Sequence, residues 1–412
     1  MGTWLVPRQD LTIEQLRAIE MPAHENQVFL GGPGSGKTQV LLHRADFLRR
    51  TGNTPSERIH IFVFTNVLKD YIRSAVELLG LPTNCVSTLD SWCSDYFQQN
   101  IGNKLPWDAA NKTRDYAAIR RAVLTKLKAS ASSSPIFDFI LVDEGQDLDS
   151  DAFELIKAMG RWVTVCMDGN QQIYDAGSSQ REVLAKLGLR KHNLALLQTF
   201  RCCPYIVDAA SQFIDDPEER QAYIRQTCTS QTDIETPLFY RASDFEDERR
   251  KLIEVTKVRL EKGEKVAILL PQKRQVYGFA KGLQEAGLPV ETQEALSFVS
   301  DLPKLITMHS AKGLTFDTVL LPRLNARSFI NVSPARMERL LFVAITRATR
   351  WLYISTDHEG TFTPLLRLYP LIGKKRLTMQ IGGTDADLAP TDRKGHEPVE
   401  AESDRDDLLD ML

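Results

Sequence analysis

The chain has 412 residues, 42% of them hydrophobic and 25% charged, with a formal net charge of −3. That size and mix describe a globular protein with room for two or three domains and large cores, and exclude a fibrous chain or a small disulfide-dependent scaffold. The charge is uneven: residues 381–412 hold ten acidic and three basic residues, which leaves a mildly basic body that tolerates a polyanionic partner without demanding one. None of the six cysteines forms a Cys-x-x-Cys pair, so zinc-site spacing is absent and buried thiols in a reducing cytosol are expected. The N-terminal "MGTWLVPRQD" has no apolar signal core and no run approaches a membrane-spanning length, so a cytoplasmic protein with no membrane association is expected.

Ten short apolar runs follow one another between helical patterns: "QVFL", "IHIFVFT", "CVSTL", "FDFILVDE", "WVTVCMD", "ALLQTF", "KVAILLP", "LITMHS", "DTVLLPRL" and "WLYIST". Such runs read as buried parallel strands of an α/β fold, and they are too many for one sheet of average size. The expectation is an α/β chain with two domains facing each other across a cleft, residues 1–194 and 195–380. A helical, basic insert at about 93–135 carries Lys112, Arg114, Arg120, Arg121, Lys126 and Lys128. It reads as a solvated amphipathic helix, with a nucleic-acid contact as the alternative. Residues 381–412, polar, acidic and rich in Gly and Pro, are expected to be disordered. Their end, "DRDDLLDML", alternates acids with Leu and Met, so a protein partner docking there is the alternative to a solvated tail.

The chemistry begins at "GGPGSGKT", a Gly-rich turn between a strand and a helix. In that context the backbone of Gly32, Pro33, Gly34, Ser35 and Gly36 would cradle phosphates at a helix N-terminus. Lys37 would reach the β- and γ-phosphates of ATP and Thr38 would ligate Mg²⁺. The run "FILVDEGQD" ends a strand in Asp143, a second Mg²⁺ anchor, followed by Glu144, placed to polarise an attacking water. Arg201 and Arg347 belong to the second strand set, and arginines from a facing domain can stabilise charge on a transferring phosphoryl group.

The whole series resembles the UvrD/Rep-type superfamily 1 helicases over roughly Leu11 to Ser355. The resemblance implies two RecA-like P-loop domains in tandem, each with a parallel sheet. Gln15 in "LTIEQLRAI" would read the adenine edge, Gln171 in "MDGNQQIYDAG" would sense the γ-phosphate, Phe200 in "LLQTFRC" would stack on adenine, and Arg201 and Arg347 (in "RLLFVAITRAT") would act as fingers. Gln39 and Gly313 complete the nucleotide-binding set. Phe64 and Thr65 in "FVFTN", Thr88 in "STLDSWC", Tyr174, and Thr307 and His309 in "TMHSAKGLTFDTVLL" fit positions that touch DNA.

Five positions depart from the family pattern. Ala176 stands where an aromatic stacks on a base, Asp90 where His is common, and Val67 in place of Lys. Thr315 replaces the Glu that helps hold the ribose, and Gln39 replaces Arg. From Arg201 to Thr307 there are 106 positions, most of them needed for the second α/β core, which leaves no room for a large second insert. The expected function is an ATP-dependent DNA helicase or translocase acting on single-stranded DNA. The alternative is an ATP-driven switch or sensor working with a partner nuclease or effector in DNA repair or genome defence.

Overall fold

A computed structural model of the protein describes residues 5–52, 54–110, 112–129, 134–168, 177–196, 202–227, 235–298, 300–330, 332–357 and 362–383. In chain order its strands are β1 Gln27–Gly31, β2 Ile59–Val63, β3 Val86–Thr88, β4 Trp107–Asp108, β5 Thr113–Arg114, β6 Phe137–Val142, β7 Gly160–Met167, β8 Leu194–Leu196, β9 Leu238–Ala242, β10 Val266–Leu270, β11 Glu291–Thr292, β12 Lys304–Thr307, β13 Phe316–Leu321, β14 Ala348–Asp357 and β15 Thr378–Ile381. Each of the ten apolar runs contributes to one of them.

Two parallel sheets result. The first has the order β3-β2-β6-β7-β1-β8 and the second β11-β12-β10-β13-β14-β9-β15. Strands covered on both faces cannot alternate polar and apolar residues, which is why β2 and β10 are buried along their whole length. Beyond the runs foreseen, β9 lies between β14 and β15, and β11 and β15 form the edges of the second sheet. This is the architecture of two RecA-like lobes in tandem. Both lie within one compact unit, Met1–Gly382; residues 383–412 form another, where the tail expected to be disordered or to dock a partner falls almost wholly outside the described residues.

The interval between the lobes' strand sets is filled by second-lobe structure. Helices Pro204–Ser211, Pro217–Gln226, Phe245–Glu261 and Lys273–Glu285, with β9, β10 and β11, occupy most of it. The smaller insert forms the β4-β5 hairpin and the helix Tyr116–Ala129. That helix buries Ile119 and Val123 completely. Its Arg120 donates to Asp90 at 2.7 Å and Asp149 at 2.9 Å, and Lys128 lies 3.8 Å from Glu154. Part of the basic row is thereby neutralised within the lobe, and Asp90, the acid of the "STLDSWC" motif, has its own counter-ion.

Five cysteines, Cys85, Cys93, Cys166, Cys202 and Cys203, are free and buried; Cys228 lies outside the described residues. Among the described residues no helix is long and apolar enough to cross a membrane.

Candidate active site

In open α/β sheets, ligands sit beyond the carboxyl ends of the strands. The first lobe places its chemistry there. Strand β1 runs into the Gly-rich turn and the helix Lys37–Thr51. Gly36 caps that helix with φ +83°, and a Cβ there would lie 2.3 Å from Gln15 Nε2, so only glycine fits the turn. Lys37 Nζ donates to Gly31 O at 2.7 Å and Gly32 O at 3.0 Å and stands 3.6 Å from Asp168 Oδ2, beyond the end of β7. Ser35 Oγ is buried inside the turn with no hydrogen-bond partner among the described residues.

Strand β6 delivers the acids. Thr38 Oγ1 donates to Asp143 Oδ2 at 2.7 Å. Burial, followed by the charge of Glu144, pushes the Asp143 carboxyl up to about 6. A buried carboxylate and a hydroxyl in contact, next to a phosphate cradle, fit Mg²⁺, which takes one or two protein oxygens and completes its shell with phosphate and water. Among the described residues no group of three or more acidic, His or Cys side chains forms an all-protein metal cage.

Glu144 has φ +53°, a left-handed conformation that a non-glycine residue holds at a cost of about 1–3 kcal/mol. Its surroundings impose it. Glu144 N donates to Asp143 Oδ1 at 3.0 Å, and Asp147 N returns to Glu144 O at 3.0 Å. Gln146 Nε2 donates to Glu144 Oε2 at 2.6 Å while Gln146 Oε1 accepts Asp168 N–H at 2.9 Å. Burial pushes the Glu144 carboxyl up, but Lys312, Lys37 and Arg347 together hold it below the usual range. It is therefore a charged carboxylate, held in place by a glutamine. Gln146, Lys312 and Asp168 carry no role in the sequence reading, although all three lie inside its motifs "FILVDEGQD", "TMHSAKGLTFDTVLL" and "MDGNQQIYDAG".

The second lobe closes the site. A cavity of about 240 Å³ is lined by Gln15, Pro33, Gly34, Gly36, Lys37, Thr38, Gln39 and Glu144 from the first lobe and by Gly313, Thr315 and Arg347 from the second. Arg347 is buried, donates to Val343 O, Leu314 O and Thr346 Oγ1, and is close enough to Glu144 and Asp168 for their charges to act on it.

The other predicted positions divide. The amide of Gln15 donates to Ser35 O at 2.9 Å and accepts Thr12 N–H at 3.0 Å, so its contacts shape the phosphate turn. Gln39 Oε1 accepts Val6 N–H at 3.0 Å and His43 Nε2 meets Val6 O at 2.8 Å. Val6 lines the cavity, so one turn of the Lys37–Thr51 helix fixes its N-terminal wall. An arginine at 39, a donor only, could not accept that N–H. Val67 is buried in the core, where a lysine would be desolvated. Gln171, Tyr174, Ala176, Phe200 and Arg201 lie outside the described residues.

Thr65 and Thr88 cap the helices Asn66–Val76 and Leu89–Asn100, accepting Leu68 N–H at 3.1 Å and Ser91 N–H at 3.2 Å. Thr307 Oγ1 donates to Ser310 Oγ at 2.8 Å. Half-buried Phe64 and His309 meet across the lobes with ring centroids 5.7 Å apart. The His309 imidazole is lowered to about 4 by burial, then by Lys312 and Arg336, so it is neutral at pH 7.

Two tandem RecA-like lobes with a phosphate cradle, paired acids and a facing arginine define a P-loop protein of the two-lobed class. Residues 15–177 match the AAA domain family, and residues 300–359 match the UvrD-like helicase C-terminal domain. Together with two curated relatives, these matches support a UvrD/Rep-type superfamily 1 helicase. The chain is 23% identical over 382 residues to the "Putative ATP-dependent DNA helicase R568" of Acanthamoeba polyphaga mimivirus, covering 83% of this chain and 53% of that protein. It is 24% identical over 271 residues to the "Probable DNA helicase" of Mycoplasma pneumoniae, covering 59% and 48%. The chain thus spans about half the length of the curated relatives it matches. Among solved structures, the C-terminal domain of a possible DNA helicase from Lactobacillus plantarum WCFS1 aligns at 18% identity and TM-score 0.33, over 45% of this chain and 99% of that one.

Proposed function

We propose that this chain hydrolyses ATP with Mg²⁺ in the cleft between its lobes, and that single-stranded DNA lying across both lobes stimulates the reaction and is moved by it. The observation that carries the reading is the cavity itself, where Lys37, Thr38 and Glu144 of one lobe meet Gly313 and Arg347 of the other. Lys37 and the turn amides bind the β- and γ-phosphates. Thr38 and Asp143 hold Mg²⁺, which would neutralise developing charge on the phosphoryl oxygens. Glu144 accepts the proton of the attacking water. Arg347 stabilises charge on the transferring group when the lobes close, with Arg201 proposed as the second finger, Gln171 as the γ-phosphate sensor and Phe200 as the base platform. The strand-binding set is Phe64, Thr65, Thr88, Tyr174, Thr307 and His309.

A second reading is an ATP-driven switch acting with a protein partner. It is favoured by the hydroxyls of Thr65 and Thr88 serving as helix caps and by the acid at Asp90. Equilibrium binding of a labelled oligothymidylate at low salt separates the two, read beside ATP hydrolysis by wild type and Lys37→Ala. The motor reading expects strand binding and hydrolysis that Lys37→Ala abolishes. Hydrolysis without strand binding leaves the switch.

A further inference from the structure

The helix Asn66–Val76 begins at one candidate site and passes the other. Leu68 and Tyr71 lie one turn apart on the same face of the helix, Phe64 stands immediately before its extended N-cap Thr65, and each of the three meets the second lobe. The Phe64 ring lies 5.7 Å from that of His309. Gly313 has φ +81°, and a Cβ added there would lie 2.8 Å from Leu68 Cδ2, so the backbone of the second lobe rests directly on Leu68. Tyr71 packs edge-to-face on Phe298, with centroids 4.6 Å apart and planes at 67°. Tyr71 and Gly313 also line the nucleotide cavity. From its start at Asn66 to Tyr71 the helix rises about 8 Å, which separates the Phe64 end of the stripe from the Tyr71 end. The helix between them is capped by Thr65 and has Leu68, Ile72, Ala75 and Val76 buried, so it moves as a rigid piece.

Resting on the functional reading above, we propose that the stripe Phe64–Leu68–Tyr71 couples nucleotide binding to strand binding, with Tyr71 as the positioning residue at its nucleotide end. A nucleotide in the cavity touches the seam at Tyr71 and Gly313. By fixing Tyr71 against Phe298 it sets the register of the helix on the second lobe, and with it the spacing of Phe64 from His309 at the strand end. Such coupling is a difference in strand affinity between the two nucleotide states, and it is reciprocal. Typical coupling changes an affinity by about 5- to 150-fold.

The test is a thermodynamic cycle. The Kd of the full chain for a labelled oligothymidylate is measured with and without a non-hydrolysable ATP analogue and Mg²⁺, the analogue being saturating in each variant. Wild type and Tyr71→Phe are expected to give the same ratio of the two values. Tyr71→Ala is expected to bring the ratio to within about twofold of one, where a 5-fold ratio is the low end of ordinary coupling. Phe298→Leu, which removes the ring from the opposite lobe, is expected to do the same, and it carries the test if Tyr71→Ala fails to fold. A wild-type ratio that survives both substitutions overturns the coupling while leaving the motor intact. A wild type that binds no strand overturns the functional reading itself, and the coupling with it.

Discussion

Lys312 of the second lobe reaches into the acids of the first, its Nζ 2.5 Å from Asp147 Oδ2 and 3.5 Å from Glu144 Oε2. Lys312 is 1% exposed, so the bridge is desolvated and its parts depend on one another. Removing one member of such a pair leaves a bare buried charge, at a typical cost of about 3–5 kcal/mol. Lys312→Met is expected to lower the free energy of urea unfolding by that order. Asp147→Asn added to it should restore part of the loss, because the stranded acid is gone. Equal and additive losses in a double-mutant cycle would contradict the bridge.

The wall held by Gln39 predicts a selective defect. Gln39→Met keeps length and packing but removes the acceptor of Val6 N–H. One such hydrogen bond contributes about 1 kcal/mol. A labelled ATP analogue should therefore bind more weakly, by up to about 5-fold, while the fold loses no more than about 1 kcal/mol. Unchanged nucleotide affinity would remove Gln39 from the site.

Among the described residues, Arg44 is a buried cation without a carboxylate partner. Its guanidinium donates to Thr164 Oγ1, Ala18 O, Ile19 O, Met21 O and Pro22 O, gathering the carbonyls at and beyond the C-terminal end of the helix Ile13–Ile19, where a positive charge is favoured. Burial lowers the group to about 10, so it stays charged at neutral pH. Arg44→Met orphans these acceptors, each worth about 1–3 kcal/mol when buried and unpaired. Chemical denaturation should show a loss of at least about 3 kcal/mol. Arg44→Lys should recover little of it, since one ammonium cannot serve a fork of acceptors.

His60 predicts an acid-sensitive fold. It bonds Ser87 Oγ at 2.8 Å, and burial, followed by the charge of Arg73, lowers it to about 3. The unfolded chain binds the proton near pH 6.5 and the folded chain does not, so stability is complete above about 6.5 and falls as pH drops toward 3. The expected slope is about 1.4 kcal/mol per pH unit. Denaturation of wild type and His60→Gln from pH 7 to pH 5 should show the variant losing about 2 kcal/mol less over that range. Parallel pH profiles would contradict it.

What the sequence disclosed and what it hid follow from the range of the interactions. The Gly-rich turn, Lys37, Thr38, Asp143 and Glu144 sit where a strand ends, and strand, turn and helix are patterns within a few residues. The ten apolar runs were legible because strands buried on both faces have almost continuous hydrophobicity. Strand β9 is harder to see because its "LFYRA" has only three apolar residues before the charge of Arg241. Other features join residues far apart in the chain. Lys312 on Asp147, Arg44 on the end of the first helix, Gln39 on Val6 and Arg120 on Asp90 leave no local trace. The departures at Gln39, Val67 and Asp90 were visible as letters, and only their surroundings give them a physical reason.

The most direct test is the steady-state rate of phosphate release from ATP and Mg²⁺, with and without single-stranded DNA, for wild type and Glu144→Gln. The account predicts hydrolysis that the strand accelerates and that Glu144→Gln lowers about 10²- to 10⁴-fold, the ordinary contribution of a general base. A wild-type rate that the strand leaves unchanged, or one that Glu144→Gln retains, would contradict it.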